Sequence, residues 1–147
     1  MTHQRPVFLL IILLFLGWCM SGCQPQVSSP NPVEPVSNVD TSHPRAKLVI
    51  GSKKILGKVK ILNPRFRKVG KMTQAEVTVQ NLSDTKFSLE YKFDWQDAQG
   101  FTVDSGSMWH RFTLTPHQMR DFSSTGKTPA AEQITFTVRF PHDAFID

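Results

Sequence analysis

Residues 87–96 read FSLEYKFDWQ, and they carry the clearest secondary-structure pattern of the chain. Every odd position is apolar or aromatic and every even position is polar, which is the period of a β-strand with one buried and one solvated face. No window of useful length carries a helical stripe, so the pattern predicts an all-β domain. Weaker runs of the same period lie at 48–50, 59–61, 75–79, 108–114, 118–122 and 134–140.

Turn-forming residues separate these runs, at 81–84, 97–100, 105–106, 115–116 and 126–129. About seven short strands at this spacing are typical of an immunoglobulin-like antiparallel β-sandwich. Strict alternation favours sheets with one solvated face over a parallel sheet that is buried on both faces. A small barrel is the alternative fold.

The first 22 residues have the organisation of a secretory signal peptide. Arg5 gives a charged start, and about fourteen almost wholly apolar residues follow before the small residues Ser21 and Gly22. A membrane-spanning helix needs roughly 20 apolar residues, so a permanent transmembrane anchor is less favoured. We therefore predict a signal peptide over residues 1–22.

The end of this segment, Met20-Ser21-Gly22-Cys23, resembles the lipobox of bacterial lipoproteins. The resemblance implies that the Cys23 thiol takes diacylglycerol and that lipid on this residue holds the chain to a membrane. Cys19 is a poor rival, because bulky Trp18 stands where a small residue is needed. In that family Asp after the cysteine tends to keep the protein in the inner membrane, so Gln24 favours the periplasmic face of the outer membrane. An ordinary signal peptide with an incidental cysteine is the alternative.

The remaining chain divides into a linker and a domain. Residues 23–46 contain five prolines, no aromatic residue and no apolar period, which is typical of a stiff, unfolded linker. Fully extended, it could reach roughly 70–80 Å. The period-two pattern starts at residue 47, so we assign 47–147 to the β-sandwich. With Cys19 removed and Cys23 acylated, that domain has no cysteine for a disulfide.

Five motifs stand out in this domain: Val77-Thr78-Val79-Gln80-Asn81-Leu82-Ser83, Leu89-Glu90-Tyr91-Lys92-Phe93-Asp94-Trp95, Gln99-Gly100, Trp109 and Leu114-Thr115-Pro116. Together these motifs resemble the YcfL-type periplasmic lipoproteins of Gram-negative bacteria. The resemblance covers roughly residues 47–141 in addition to the lipobox. It implies an immunoglobulin-like sandwich in an outer-membrane lipoprotein and implies no catalytic residues.

The residues of the domain give little support to an enzyme or a metal site. The sequence has no Gly-x-Ser-x-Gly elbow, His-Glu-x-x-His pair, phosphate-binding glycine loop or Cys-x-x-Cys motif. His110, His117 and Asp121 would have to converge to bind zinc, and their spacing does not specify that. Ser105, Ser107 and His110 could be a nucleophile and base, but a turn explains the serines better. We therefore predict no catalytic residues, no metal and no cofactor.

A basic stretch is the main candidate for binding. Between Arg45 and Lys71 the chain has ten Lys or Arg residues and no Asp or Glu, which predicts a positive surface. That surface could contact anionic lipid head groups, an acidic protein partner or a polyanionic envelope glycan. It could equally be a solvated face or an edge strand protected by lysines. Nucleic acid is not an expected partner of an exported protein. The candidate residues are Lys53, Lys54, Lys58, Lys60, Arg65, Arg67 and Lys68.

The aromatic residues offer a second candidate surface. Tyr91, Phe93 and Trp95 share one face of a predicted strand, and stacked aromatic rings bind sugars in many sandwich domains. The stronger interpretation places these three residues in the core, together with Trp109.

Taken together, the sequence predicts a non-enzymatic lipoprotein on the periplasmic face of the outer membrane. We expect its small β-sandwich to bind an envelope protein. A module that binds peptidoglycan or another envelope glycan is the alternative.

Overall fold

The computed structural model describes residues 38–105 and 108–141, which form nine β-strands and one short 3-10 turn at Lys53–Ile55. The predicted signal peptide, Cys23 and most of the predicted linker lie outside the described residues. The strands are β1 (Val39–His43), β2 (Ala46–Ile50), β3 (Val59–Val69), β4 (Met72–Asn81), β5 (Phe87–Gln96), β6 (Thr102–Ser105), β7 (His110–Leu114), β8 (Met119–Thr125) and β9 (Gln133–Arg139).

The strands form two sheets that pack into a sandwich, which confirms the predicted all-β fold. The larger sheet has the order β1-β2-β9-β5, and the free side of β5 pairs with β7 along its first half and with β6 along its second. The smaller sheet has the order β3-β4-β8. No helix in the described ranges is long and apolar enough to cross a membrane.

The core lies between the two sheets and is built from the predicted alternating positions. On β5, Leu89 and Trp95 are at most 1% exposed, and they face Val77 and Val79 of β4, which are fully buried. A fully buried side chain of this size contributes roughly 1.5–3 kcal/mol by leaving water. The period of the sequence therefore identified the correct face of the central strand.

One pairing differs from the antiparallel prediction, because β2 and β9 run parallel, with Leu48 beside Phe136. A parallel pair needs a long crossover connection. Here almost the whole domain forms that connection, so no local pattern in the sequence could reveal it.

The start of the sandwich also differs from the prediction. Val39–His43 forms β1 and Ala46 begins β2, although both fall within the predicted linker 23–46. The burial of β1 is slight, and its three central residues are exposed. The strand forms because β2 supplies a hydrogen-bonding edge, which composition alone does not indicate.

Strand β3 changes face at a bulge. Ile61 points into the core, the register shifts between Leu62 and Arg65, and Phe66 then takes the inward position opposite Ala75. Asn63 has φ of 52°, a left-handed conformation that Asn tolerates better than most residues. The bulge therefore divides β3 into a first arm, Val59–Leu62, and a second arm that continues into the hairpin with β4.

Candidate functional site

The structure separates the predicted basic residues into two groups. Lys53 and Lys54 lie on the 3-10 turn, Lys58 precedes β3, and Lys60 is exposed on its first arm. The backbone N–H of Ile50, just before this turn, donates to the carbonyl of Asn38 at 2.8 Å. The first group therefore lies at the end of the sandwich where the described chain begins.

The second group lies beyond the bulge and is engaged with the neighbouring strand β4. Arg65 forms an ion pair with Glu76, and Arg67 Nε donates to Gln74 Oε1 at 2.5 Å. Lys68 Nζ donates to Thr73 Oγ1 at 3.0 Å. Thr73 and Ala75 are buried whereas Gln74 and Glu76 are not, so Lys68 lies on the opposite face of the hairpin from the two arginines. The predicted single basic face is therefore not continuous.

An apolar groove opens beside the first group, between β1–β2 of one sheet and the first arm of β3 of the other. Its volume is about 260 Å³. Strands β1 and β3 are edges of their sheets, and the two sheets do not close over the core on this side. Leu82 projects at its rim with 46% of its surface exposed. The apolar lining consists of Leu48, Ile50, Leu56, Val59, Ile61 and Leu82.

The polar part of the groove lining is formed by Asn38, Asp40 and Lys60. The backbone N–H of Ser42 donates to Asp40 Oδ1 at 2.8 Å. This bond, with a contribution from the Ser42 hydroxyl and from the charge of Lys60, holds the pKa of Asp40 below its ordinary value of 3.8. Asp40 therefore stays ionised near neutral pH, and its charge is opposed by Lys60.

A second cleft of about 270 Å³ opens at the other side of the sandwich, between β6–β7 and β8. Its floor contains Tyr91 and Trp95, and Lys127 Nζ pairs with Asp104 Oδ1 at 3.0 Å in its lining. Trp95 is 1% exposed, and its Nε1–H donates to Ser124 Oγ at 3.1 Å. The aromatic side chains of β5 therefore pack as core residues, and they form no open platform for a sugar ring.

Trp109 does not join this core. Its ring contacts residues on the opposite, outer face of the large sheet, with the Arg139 guanidinium 3.7 Å from the ring centre. Arg139 Nε also donates to Glu90 Oε1 at 2.8 Å, and Glu90 is only 5% exposed. Trp109 therefore packs over a largely buried ion pair. The prediction of a core position for Trp109 is wrong, because the pattern before β7 does not show that its side chain turns outward.

The candidate metal ligands have separate partners. His110 stacks on Tyr91 with ring centres 5.2 Å apart. His117 Nε2 lies 2.8 Å from Asp84 Oδ1, and Asp121 accepts a hydrogen bond from a threonine of β4 at 2.6 Å. Within residues 38–105 and 108–141, no three His, Cys, Asp or Glu side chains are grouped so that they could hold a metal ion.

Ser105 and Ser107, the candidate nucleophiles, form no catalytic arrangement within the described residues. The backbone of Ser105 ends β6, whereas Ser107 lies outside the described residues, as does His142.

A β-sandwich with a groove at one open edge is thus the class of domain that these residues form. A family model described as "Protein of unknown function (DUF1425)" matches residues 46–140, and the chain belongs to this family. This membership agrees with the resemblance to YcfL-type lipoproteins, which are a group within it.

Two solved structures share the fold. The chain is similar to a DUF1425 family member from Shewanella sp. pv-4, with 22% identity, a TM-score of 0.53, and coverage of 58% of this chain and 80% of that one. It is also similar to cj0090 of Campylobacter jejuni, with 18% identity, a TM-score of 0.53, and coverage of 64% and 97% respectively. At these identities the likeness concerns the fold alone. No curated protein matches the chain.

Proposed function

We propose that this protein is a lipoprotein anchored through Cys23 at the periplasmic face of the outer membrane, and that its β-sandwich binds another envelope protein without catalysing a reaction. The lipobox motif before Cys23 supports the anchor. The match to a family of unknown function assigns no chemistry. The binding role rests on the surface of the described domain.

The observation that carries the binding role is the apolar groove between the edge strands β1 and β3. A groove of six apolar side chains beside exposed lysines suits a protein segment, which brings apolar and acidic side chains together. Its volume of about 260 Å³ is just below the roughly 300–1,000 Å³ of sites for whole small molecules. We therefore propose that the groove holds a few side chains of a protein partner.

Glycan binding is the second candidate, and it has less support. Trp95 is buried, and the ring of Trp109 is already in contact with the Arg139 guanidinium. The cleft with Asp104, Lys127 and the β8 hydroxyl groups is the polar feature that could still contact a sugar.

Co-sedimentation with purified peptidoglycan sacculi separates these two functions. The protein with Cys23→Ser is mixed with sacculi at low and at moderate salt. For a protein-binding module we expect no salt-resistant binding, and any binding at low salt should disappear as the salt screens the lysines. Binding that persists at moderate salt would support the glycan function instead.

A further inference from the structure

The backbone of the first arm of β3 is oriented to accept another strand. The N–H of Leu82 donates to the carbonyl of Lys58 at 2.7 Å, in the same register that pairs Val59 with Asn81 and Ile61 with Val79. Hydrogen-bonded pairs alternate along an antiparallel ladder. The N–H and C=O groups of Val59 and Ile61 therefore point away from β4.

The other side of β4 supports this assignment. The N–H of Asn81 donates to the carbonyl of Gln118 at 3.0 Å, on the side of β8. Asn81 is the register partner of Val59 on β3. Because the Asn81 N–H points toward β8, no main-chain hydrogen bond joins Asn81 to Val59. In the described part of the chain β3 pairs with β4 alone, so this edge remains available.

The same two residues line the apolar groove. Val59 and Ile61 direct their side chains into it. Lys60 between them alternates to the exposed face of the strand, at the rim of the groove, where its charge also acts on Asp40. A strand added to this edge would lie about 4.8 Å from β3 and would alternate its side chains in the same way. Its inward side chains would enter the groove, and its outward side chains would lie beside Lys60.

The bulge limits how far such a strand can extend. Asn63 breaks the register, and Pro64 has no N–H to donate. Beyond it, Arg65 and Arg67 are engaged with Glu76 and Gln74. The binding edge is therefore Val59–Leu62, the part of β3 beside the groove.

The geometry points to a specific ligand: we infer that Val59–Leu62 binds an extended segment of an envelope protein as an added β-strand. The segment alternates apolar side chains, which fill the groove, with acidic side chains, which lie beside Lys58 and Lys60. Main-chain bonds supply affinity in this mode, and alternate side chains supply specificity. This inference rests on the proposed function and names the chemistry of its partner.

Site-specific photocrosslinking of the full-length protein in cells tests the inference. A photoreactive amino acid replaces Leu82 at the rim of the groove. In a matched control it replaces Met119, which is 56% exposed on β8, an edge strand of the same sheet. Each crosslinked partner is identified, and the contacting segment is sequenced by mass spectrometry.

Two charge-reversal substitutions, each combined with the photoreactive residue at position 82, test whether Lys60 contributes to binding. We expect Lys60→Glu to lower the crosslinking yield roughly two- to fivefold, the amount that an exposed ion pair contributes. Arg67→Glu, on the same strand beyond the bulge, should leave the yield unchanged. Urea midpoints of both variants show whether each one is folded.

The expected result is one protein captured at Leu82 but not at Met119, through a segment that alternates apolar and acidic residues. Capture of lipid alone, of a second copy of this chain, or of a segment without acidic residues would overturn the inference. Capture of a protein at Met119 alone would overturn it while leaving the proposed function intact. If neither probe captures a protein, the proposed function fails as well.

Discussion

Tyr91 is the single tyrosine of the chain, so its ionisation can be followed without interference from another phenol. Its ring contacts Phe122 of the opposite sheet at 4.4 Å between centres. Burial raises the pKa of Tyr91 above its ordinary value of 10.0, although the charge of Arg120 opposes part of this effect. The side chain is therefore a reporter of how tightly the sandwich closes at this edge.

We predict that the tyrosinate absorbance of the native protein has its midpoint above pH 10. Above pH 10 the unfolded chain ionises while the native chain does not, so stability that is present below this pH is lost as the pH rises through the native pKa. In denaturant the midpoint should return to about 10. A native midpoint at or below 10 would show that Tyr91 is not shielded in this way.

The ion pair between Glu90 and Arg139 should contribute to the stability of the domain. Removing one partner of a fully buried pair costs about 3–5 kcal/mol. Arg139 is partly exposed and keeps its contact with Trp109. We therefore expect Glu90→Ala to lower the free energy of unfolding by about 2–3 kcal/mol, at or just below the lower limit of that range.

Urea denaturation measures this cost, and Asp84→Ala is the matched control. Asp84 Oδ1 also contacts a side-chain nitrogen, His117 Nε2, at 2.8 Å, but the Asp84 side chain is 98% exposed. Exposed pairs contribute about 0–1 kcal/mol. Equal costs for the two variants would show that Glu90 is not held in a buried pair.

At the scale of the elements, a strand could be predicted from the sequence where one of its faces is buried, because apolar residues then recur at every second position. β5 shows its period in every residue because one face of it packs against the core, with only Tyr91 on that face partly exposed. β1 has no such period, since its central residues are exposed and only its pairing with β2 defines it. The candidate site follows the same rule. The lysines were visible as a run of charge, whereas the groove forms only because β1 and β2 join one sheet and β3 joins the other, which the local sequence does not show.

Gly126, in the connection from β8 to β9, packs closely against Ala131 and Trp95. A Cβ atom on Gly126 would lie 2.4 Å from Ala131 Cβ and 3.4 Å from Trp95 Cδ2. We therefore expect Gly126→Ala to cost about 1–3 kcal/mol, the usual cost of overpacking.

A double-mutant cycle checks this explanation. Because Ala131→Gly removes the atom that the new methyl group meets first, the cost of Gly126→Ala should fall in that background. Unfolding free energies of the four proteins give the coupling. An equal cost in both backgrounds would assign the effect to the backbone at Gly126 instead of this contact.

At the scale of the whole molecule, we propose two functional parts, a lipid anchor at Cys23 and a binding edge on the β-sandwich. We predict that Cys23→Ser abolishes labelling with radioactive palmitate and releases the protein from the membrane fraction. Cys19→Ser is the control, and it should be labelled like the unaltered chain because Cys19 lies in the predicted signal peptide, which we expect to be removed. Labelling of the Cys23→Ser protein would contradict the lipobox assignment.

The central claim is that the groove side of the sandwich binds an envelope protein. The most direct test is quantitative recovery of proteins crosslinked in intact cells to three forms of the full-length chain. These are the unaltered protein, a groove variant with Lys60→Glu and Leu82→Asp, and a control variant with Arg67→Glu and Met119→Asp. All four positions are exposed, so each variant should fold. We predict that at least one envelope protein is recovered with the unaltered and control forms and is lost from the groove variant. Equal recovery of every protein with all three forms would contradict it.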